Sequence, residues 1–322
     1  MLNRRVLAFS AIYLLWGGSY LAIRFVVQVI PPFLAAGIRY SLSAMLLLTI
    51  SFLAMRDKPP SRRQFLNCVG TGLIMFTFSY SAIYWAETRL SSWLVAVIAS
   101  TGFLWTYFAE CLILRTDRPR ARTVVSLIGG TAGVALLVGF PFQRSHANSV
   151  IAALVVLAST LSWSLMTVLL KRIELPRSFV QSAGLQLGAA GFALIPLAYL
   201  VGEGRQLLPA SRIFVAGPIL GMTYLVVGAS MIAFTAFHWL LARESPSLVA
   251  TSTYVNPIVA MLAGIALGHE RYTWIQLCGA LAVLLSVIVV WWTKTKSDSG
   301  SNKRIEKNAA KSIAEVGGVV LE

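Results

Sequence analysis

The chain has 322 residues, 57% of them hydrophobic, and a mean hydropathy of +0.75, which is more apolar surface than a soluble domain of that length can bury. Its net charge of +15 would suit a nucleic-acid partner, but the basic residues gather in alternate connections and in the tail, which is a membrane pattern and excludes that reading. The strict alternation of barrel strands is absent, so helices must satisfy the backbone polar groups in lipid.

Apolar stretches fall at roughly 6–27, 33–55, 65–85, 91–114, 123–140, 150–170, 178–201, 213–241, 247–267 and 273–293. Each can cross a hydrocarbon core of ~30 Å as a helix. The first follows Arg4 and Arg5 and runs too long for a signal-peptide h-region, so it is expected to be a retained span. With the N-terminus inside, the N-terminal segment and the loops 56–64, 115–122, 171–177 and 243–244 hold fourteen Lys/Arg, against five in the opposite connections. That bias predicts both termini in the cytoplasm of a multi-pass inner-membrane protein. The tail, 296–322, is polar and basic and is expected to be disordered, with anionic lipid as a candidate contact. Cys68, Cys111 and Cys278 all fall inside spans, with neither disulfide nor metal spacing, and read as small packing residues. No metal site is expected.

The chain repeats itself. Trp16-Gly17 precedes Arg24 by eight positions, and Trp163-Ser164 precedes Lys171 by the same eight. Pro31-Pro32 opens the second span, and Pro176 the corresponding one half a chain later. Trp85 stands nine before Leu94-Val95-Ala96, and Trp239 nine before Leu248-Val249-Ala250. Asp117 precedes Gly133-Val134 by sixteen, and Glu270 precedes Ser286-Val287 by sixteen. Two copies of five spans follow, 1–145 and 146–295. An odd number of spans makes the second copy enter from the opposite face, so the expected fold is all-α and integral to the membrane, with ten transmembrane helices as two inverted five-helix repeats.

The ordered set Trp16-Gly17, Arg24, proline, Arg39, then Asn256-Pro257 and Leu267-Gly268-His269-Glu270 resembles the EamA-type branch of the drug/metabolite transporter superfamily over residues 6–293. That resemblance implies a central cavity and movement of small metabolites, often amino acids, usually outward. The chain departs from the pattern at Arg24, where the family has Lys, and at Asp117, where it has Glu. It also lacks a proline near Gly102-Phe103-Leu104, which predicts a fourth helix straighter than the ninth.

Arg39 lies about seven residues into the second span. A cation at depth costs at least ~2.5–3.5 kcal/mol on insertion scales, so it either faces a cavity, where its planar fork suits a substrate carboxylate, or snorkels outward from a shallow position. Arg24 and Lys171, near span ends, read as snorkelling charges. Gln186, offset from Arg39 by 147, is a candidate neutral hydrogen-bonding partner from the second half. Glu110, the acid placed inside a span, is either a proton-coupling group or an interfacial carboxylate paired with Arg115 or Arg118. Glu87 reads as a surface partner of Arg89, and His238 as a substrate contact or a packing residue. Trp16, Tyr20, Tyr80, Tyr84, Trp85, Trp105, Trp163 and Trp239 are candidates for an aromatic-lined pocket that holds an amine by cation–π contact. Asn256 adds a polar group to the ninth span, and Pro257 beside it is a candidate hinge. Glycine pairs at 129/133, 184/188, 217/221 and 264/268 fit close helix packing, or dimerisation, leaving monomer and homodimer both open.

With no nucleotide-binding glycine loop, no HExxH and no paired carboxylates, the sequence reads as a secondary transporter that needs no cofactor. An uptake carrier of the same fold is the alternative direction, and a membrane-embedded enzyme the alternative class.

Overall fold

The computed structural model describes residues 2–90, 95, 98–115, 121–138, 147–206, 215–268, 273–275, 277–279, 281–289 and 292. Asp117, Arg118, His269, Glu270 and the tail 296–322 lie outside the described residues. Those described are helical or lie in turns and short irregular connections, with no strand among them.

In chain order the helices are α1 (Arg4–Val27), α2 (Pro32–Ala54), α3 (Arg62–Glu87), α4 (Ile98–Leu114), α5 (Ala121–Val138), α6 (Ala147–Leu169), α7 (Phe179–Leu200), α8 (Ala216–Leu241), the short α9 (Pro246–Ala250), α10 (Ser252–Gly268) and α11 (Leu277–Val289). Six of them, α1, α2, α3, α6, α7 and α8, are long and apolar enough to cross a membrane, and α4 and α11 are shorter apolar helices. Large apolar side chains such as Leu53, Leu112, Phe192 and Leu200 stand on the outside. A contiguous apolar exterior of that kind suits lipid and not water.

Local chemistry sets the helix starts. Pro31 precedes α2 and Pro32 is its first residue, where a missing N–H costs nothing. Ser61 and Gln64 form a reciprocal capping box on α3. Ser245, followed by Pro246, accepts from the Leu248 amide at the start of α9. Arg56 and Arg115 adopt left-handed backbone (φ 55° and 54°) and stop α2 and α4.

α2 and α7 are pressed together along small residues. A Cβ on Gly191 would sit 2.7 Å from the Ser41 backbone nitrogen, one on Gly37 3.2 Å from the Ile195 nitrogen, and one on Gly184 2.9 Å from Leu48. The pair 184/188 is thus spent inside the chain. So is Gly221, which faces the Ala22 carbonyl of α1. In α5 it is Gly130 and Gly133 that pack, against Ser286 and Ala282, while Gly129 faces open space. Cys68 and Cys111 are buried as expected of packing residues, and Cys278 is exposed.

Two sets of bonds mark the ends of the bundle. At one end Arg5 pairs with Glu244 at 2.8 Å, Asn67 donates to the Glu174 carbonyl and Gln181 to the Lys58 carbonyl. At the other, the Glu203 carboxylate accepts from the amides of Phe33 and Leu34 (3.2 and 2.8 Å), capping the start of α2 from the turn after α7. A carboxylate there also answers the positive end of the helix dipole.

Candidate substrate cavity

The cores of α3 and α8 are wound wide. Leu73–Tyr80 and Tyr224–Ile232 form π turns, which shift the backbone ladder and present carbonyls to neighbouring helices. Those carbonyls are used. Ser159 of α6 donates to the Ser79 carbonyl at 2.6 Å, and the Trp16 indole of α1 donates to the Ala229 carbonyl at 3.0 Å. Tyr224 in turn donates to the carbonyls of Leu14 and Leu15. Gly18 leaves room for that phenol, since a Cβ there would clash with its oxygen.

Between these helices lies a cavity of about 60 Å³. Trp16, Tyr20, Ser79, Tyr80 and Gly102 line it from the first half of the chain, and Ser159, Thr160, Trp163, Thr253 and Asn256 from the second. Trp16, Tyr20, Tyr80 and Trp163 give it an aromatic side. The Trp16 and Trp163 rings meet edge-on at 6.1 Å, and Trp163 also contacts Phe76, Tyr80 and Phe237 within 5.7–5.9 Å. Among the described residues no carboxylate lines it. Asn256 is 5% exposed, and its Oδ1 is buried with no hydrogen-bond partner.

Arg39 sits one aromatic layer behind this wall, 2% exposed. Its Nε donates to Ser230 Oγ of α8 (2.8 Å) and its Nη1 to Tyr84 OH of α3 (3.0 Å). Its guanidinium carbon lies 5.6 Å from the centre of the Tyr80 ring and 5.3 Å from that of Tyr40. No carboxylate among the described residues pairs with it. Two of its five N–H donors are therefore spent on hydroxyls, and its charge is uncompensated by an acid. The snorkelling alternative does not describe a side chain held this deep. Arg24, by contrast, is exposed at the end of α1, and Lys171 is exposed after α6.

Gln186 occupies the matching place on α7, fully buried. Its Nε2 donates to Thr71 Oγ1 of α3 at 2.8 Å, and its Oε1 lies 2.8 Å from His238 Nε2 of α8. The backbone of α3 approaches it closely: a Cβ on Gly72 would fall 2.8 Å from the Gln186 carbonyl carbon. The two networks correspond. Arg39 and Gln186 differ by 147 in number, as Trp16 and Trp163 do; their partners Tyr84 and His238 differ by 154, as Trp85 and Trp239 do. Each central residue also reaches across to the other half, Arg39 to Ser230 and Gln186 to Thr71. A third correspondence lies in the cavity wall. Gly17, after the first Trp, leaves room for the Asn256 carbonyl, 3.2 Å from where its Cβ would be. Ser164, after the second, donates to the Gly102 carbonyl at 2.9 Å, and Gly102 and Asn256 differ by 154.

The model of the EamA-like transporter family matches residues 4–139 and again 150–292. The chain belongs to the EamA-like transporter family. This EamA-like chain is 30% identical over 286 residues to the "Uncharacterized inner membrane transporter YedA" of Escherichia coli strain K12, across 88% of this chain and 89% of that protein. It is 22% identical over 286 residues to the "Probable amino-acid metabolite efflux pump" of the same organism, across 86% and 91%. A crystal structure superimposes with a TM-score of 0.67 at 20% identity, covering 89% of this chain and 96% of that one, which speaks to the fold alone.

In this EamA-like transporter the sequence candidates separate into groups. Trp16, Tyr20, Trp163 and Asn256 line the cavity; Arg39 and Tyr84 form one network beside it, and Gln186 and His238 the other. Trp85 lies outside both, at the Glu203 end, under the Arg89 guanidinium at 4.0 Å. Arg89 also donates to the Trp85 carbonyl and the Thr88 hydroxyl. Glu110 is 3% exposed and accepts from the Ser247 amide at 3.0 Å, at the start of α9. Arg115, one of its two expected partners, ends α4 in left-handed backbone at an exposed position, and Arg118, the other, lies outside the described residues. Helix α10 runs through Pro257, and the interruption between α9 and α10 falls earlier, at Thr251. α4 has a break of its own at Thr101, despite lacking a proline.

Ser79, Ser159, Thr160, Gly102, Thr253 and Ser230 were not singled out by the sequence. For Thr253 a signal exists: Pro257 lacks an N–H, so the carbonyl one turn back loses its helical partner.

Proposed function

We propose that this protein is a secondary transporter that exports small amphiphilic metabolites, such as amino acids, across the cytoplasmic membrane by alternating access. In this reading ten spans form two inverted five-helix repeats, 1–145 and 146–295, with both termini in the cytoplasm. The observation that carries it is the small cavity walled by both halves and flanked by two corresponding networks, Arg39–Tyr84 and Gln186–His238. Arg39 enters α2 from the Glu203 end, and Gln186 enters α7 from the Arg5 end, which is the relation an inverted repeat produces. Two near-equivalent packings, each opening one end, follow from such a pair of halves. The efflux relative of Escherichia coli favours export over uptake.

In this reading Arg39, with donors unspent and no acid partner, receives the carboxylate of the substrate when Tyr80 moves aside. Efflux of radiolabelled amino acids from proteoliposomes tests it. Arg39→Ala is expected to abolish efflux of carboxylate-bearing substrates while the protein still inserts; unchanged flux rejects the role. Topology is tested by Val150→Cys and Thr295→Cys in a background without other cysteines. Labelling of the two from opposite faces of intact cells supports the inverted repeat, and labelling from the same face refutes it.

A further inference from the structure

The cavity has a second chemical character, distinct from the Arg39 network. Asn256 Oδ1 is a buried acceptor with no partner, and Asn256 is the one amide side chain among the described residues of the lining. A buried polar group left unpaired destabilises the fold unless something satisfies it. The hydroxyls around it do not. Ser79, Ser159, Thr160 and Thr253 all donate to backbone carbonyls. One turn before Pro257, the Thr253 carbonyl is a further acceptor without a helical donor. Asn256 and Thr253 thus both line a cavity with no carboxylate among the described residues, and its size, about 60 Å³, suits a head group and not a whole metabolite. The Arg39 cation lies behind Tyr80, 5.6 Å from the centre of its ring.

We propose that Asn256, with the Thr253 carbonyl, is the specificity-determining position that receives the N–H donor of the substrate, and that the site takes neutral N–H groups or zwitterions in preference to bare cations. This rests on the transport reading above and deepens it. An acceptor amide satisfies an N–H without carrying charge. The aromatic faces of Trp16 and Trp163 stabilise a partial or full positive charge beside it. The field of Arg39 penalises a ligand whose only charge is positive. Gly102, at the position corresponding to Asn256, brings no side chain, so the first half offers no matching amide to the cavity.

The test uses the full chain in detergent and four ligands that share a phenyl body: phenylalanine, 3-phenylpropionamide, phenethylamine and 3-phenylpropionate. Concentration dependence of the thermal stabilisation gives the apparent affinity of each. The wild type is expected to bind phenylalanine and the amide more tightly than phenethylamine. Asn256→Leu should weaken phenylalanine and the amide about tenfold, the loss of one hydrogen bond to a buried acceptor, and leave 3-phenylpropionate unchanged. That unchanged ligand also shows that the variant is folded. Asn256→Asp should reverse the order and favour phenethylamine. Retained affinity of Asn256→Leu for the amide, equal weakening of all four ligands, or a wild type that responds to none of them would overturn the proposal. Failure of the transport reading looks different: the Asn256-dependent binding persists, and proteoliposomes move none of the ligands. Loss of 3-phenylpropionate binding only in Arg39→Ala separates the carboxylate end from the N–H end.

Discussion

The indole N–H of Trp16 points at the carbonyl of Ala229, 3.0 Å away, and so ties α1 to the wide turns of α8. The same ring contacts Trp163 and Phe237. Position 16 is therefore structural and cavity-lining at once. Trp16→Phe keeps an aromatic face and removes the donor. It is expected to lower unfolding free energy by about 1–2 kcal/mol, the cost of an unsatisfied buried carbonyl, measured as a fall in Tm in detergent. An unchanged Tm would show that the carbonyl has another donor.

Arg39 and Tyr84 should be energetically coupled. A charged donor to a hydroxyl is worth about 1.5–3 kcal/mol, more than a neutral pair. In a double-mutant cycle of Arg39→Met and Tyr84→Phe, the double variant should be less destabilised than the sum of the singles by that order. Strict additivity in the unfolding free energies would mean that the bond contributes nothing.

Gly72 and Gly70 lie on the same helix and should behave in opposite ways. A Cβ at 72 meets the backbone of Gln186, whereas one at 70 meets nothing within 4 Å. Gly72→Ala must push α3 from α7, with an expected cost of about 1–3 kcal/mol. Gly70→Ala is expected to be neutral or to stabilise by about 0.5–1 kcal/mol, because alanine loses less backbone entropy in a helix. Equal Tm shifts for the two would contradict the close approach.

Glu110 should matter for stability and not for coupling. Glu110→Gln keeps an acceptor for the Ser247 amide, so any dependence of transport on a proton gradient is expected to survive. Glu110→Ala leaves that amide without its acceptor and should cost about 1–2 kcal/mol. Loss of proton dependence in the Gln variant would restore a coupling role.

Hydropathy made the helical membrane fold legible, because backbone in lipid must be helical or closed into a barrel, and the alternation of barrel strands is absent. The correspondence of Trp16 with Trp163 and of Arg39 with Gln186 was also legible, since the residue types recur at a fixed offset. The partners of Arg39 and Gln186 were not. Ser230 and Thr71 are single hydroxyls in apolar helices, where most such groups bond back to their own turn, as Thr71 also does with the Asn67 carbonyl. Nothing local tells which of them also reaches a neighbour. Pro257 was the visible disruptor, yet helix α10 continues through it and the chain breaks at Thr251, since a proline in a span is tolerated where neighbouring groups re-satisfy the freed backbone. The burial of Arg39 was not legible, because it depends on the packing of α2 against α3, α7 and α8. Glu203 carries no motif at all, since the amides it accepts from lie 169 and 170 residues away.

That carboxylate fastens the start of α2 to the turn after α7, while Gly37, Gly184 and Gly191 leave no slack along the rest of the two helices. The pair must therefore travel as a single strut. Any motion that empties the cavity has to swing the remaining helices about this axle, and Glu203→Ala, by loosening one bearing, should let the two rods slide before any other part of the molecule gives way.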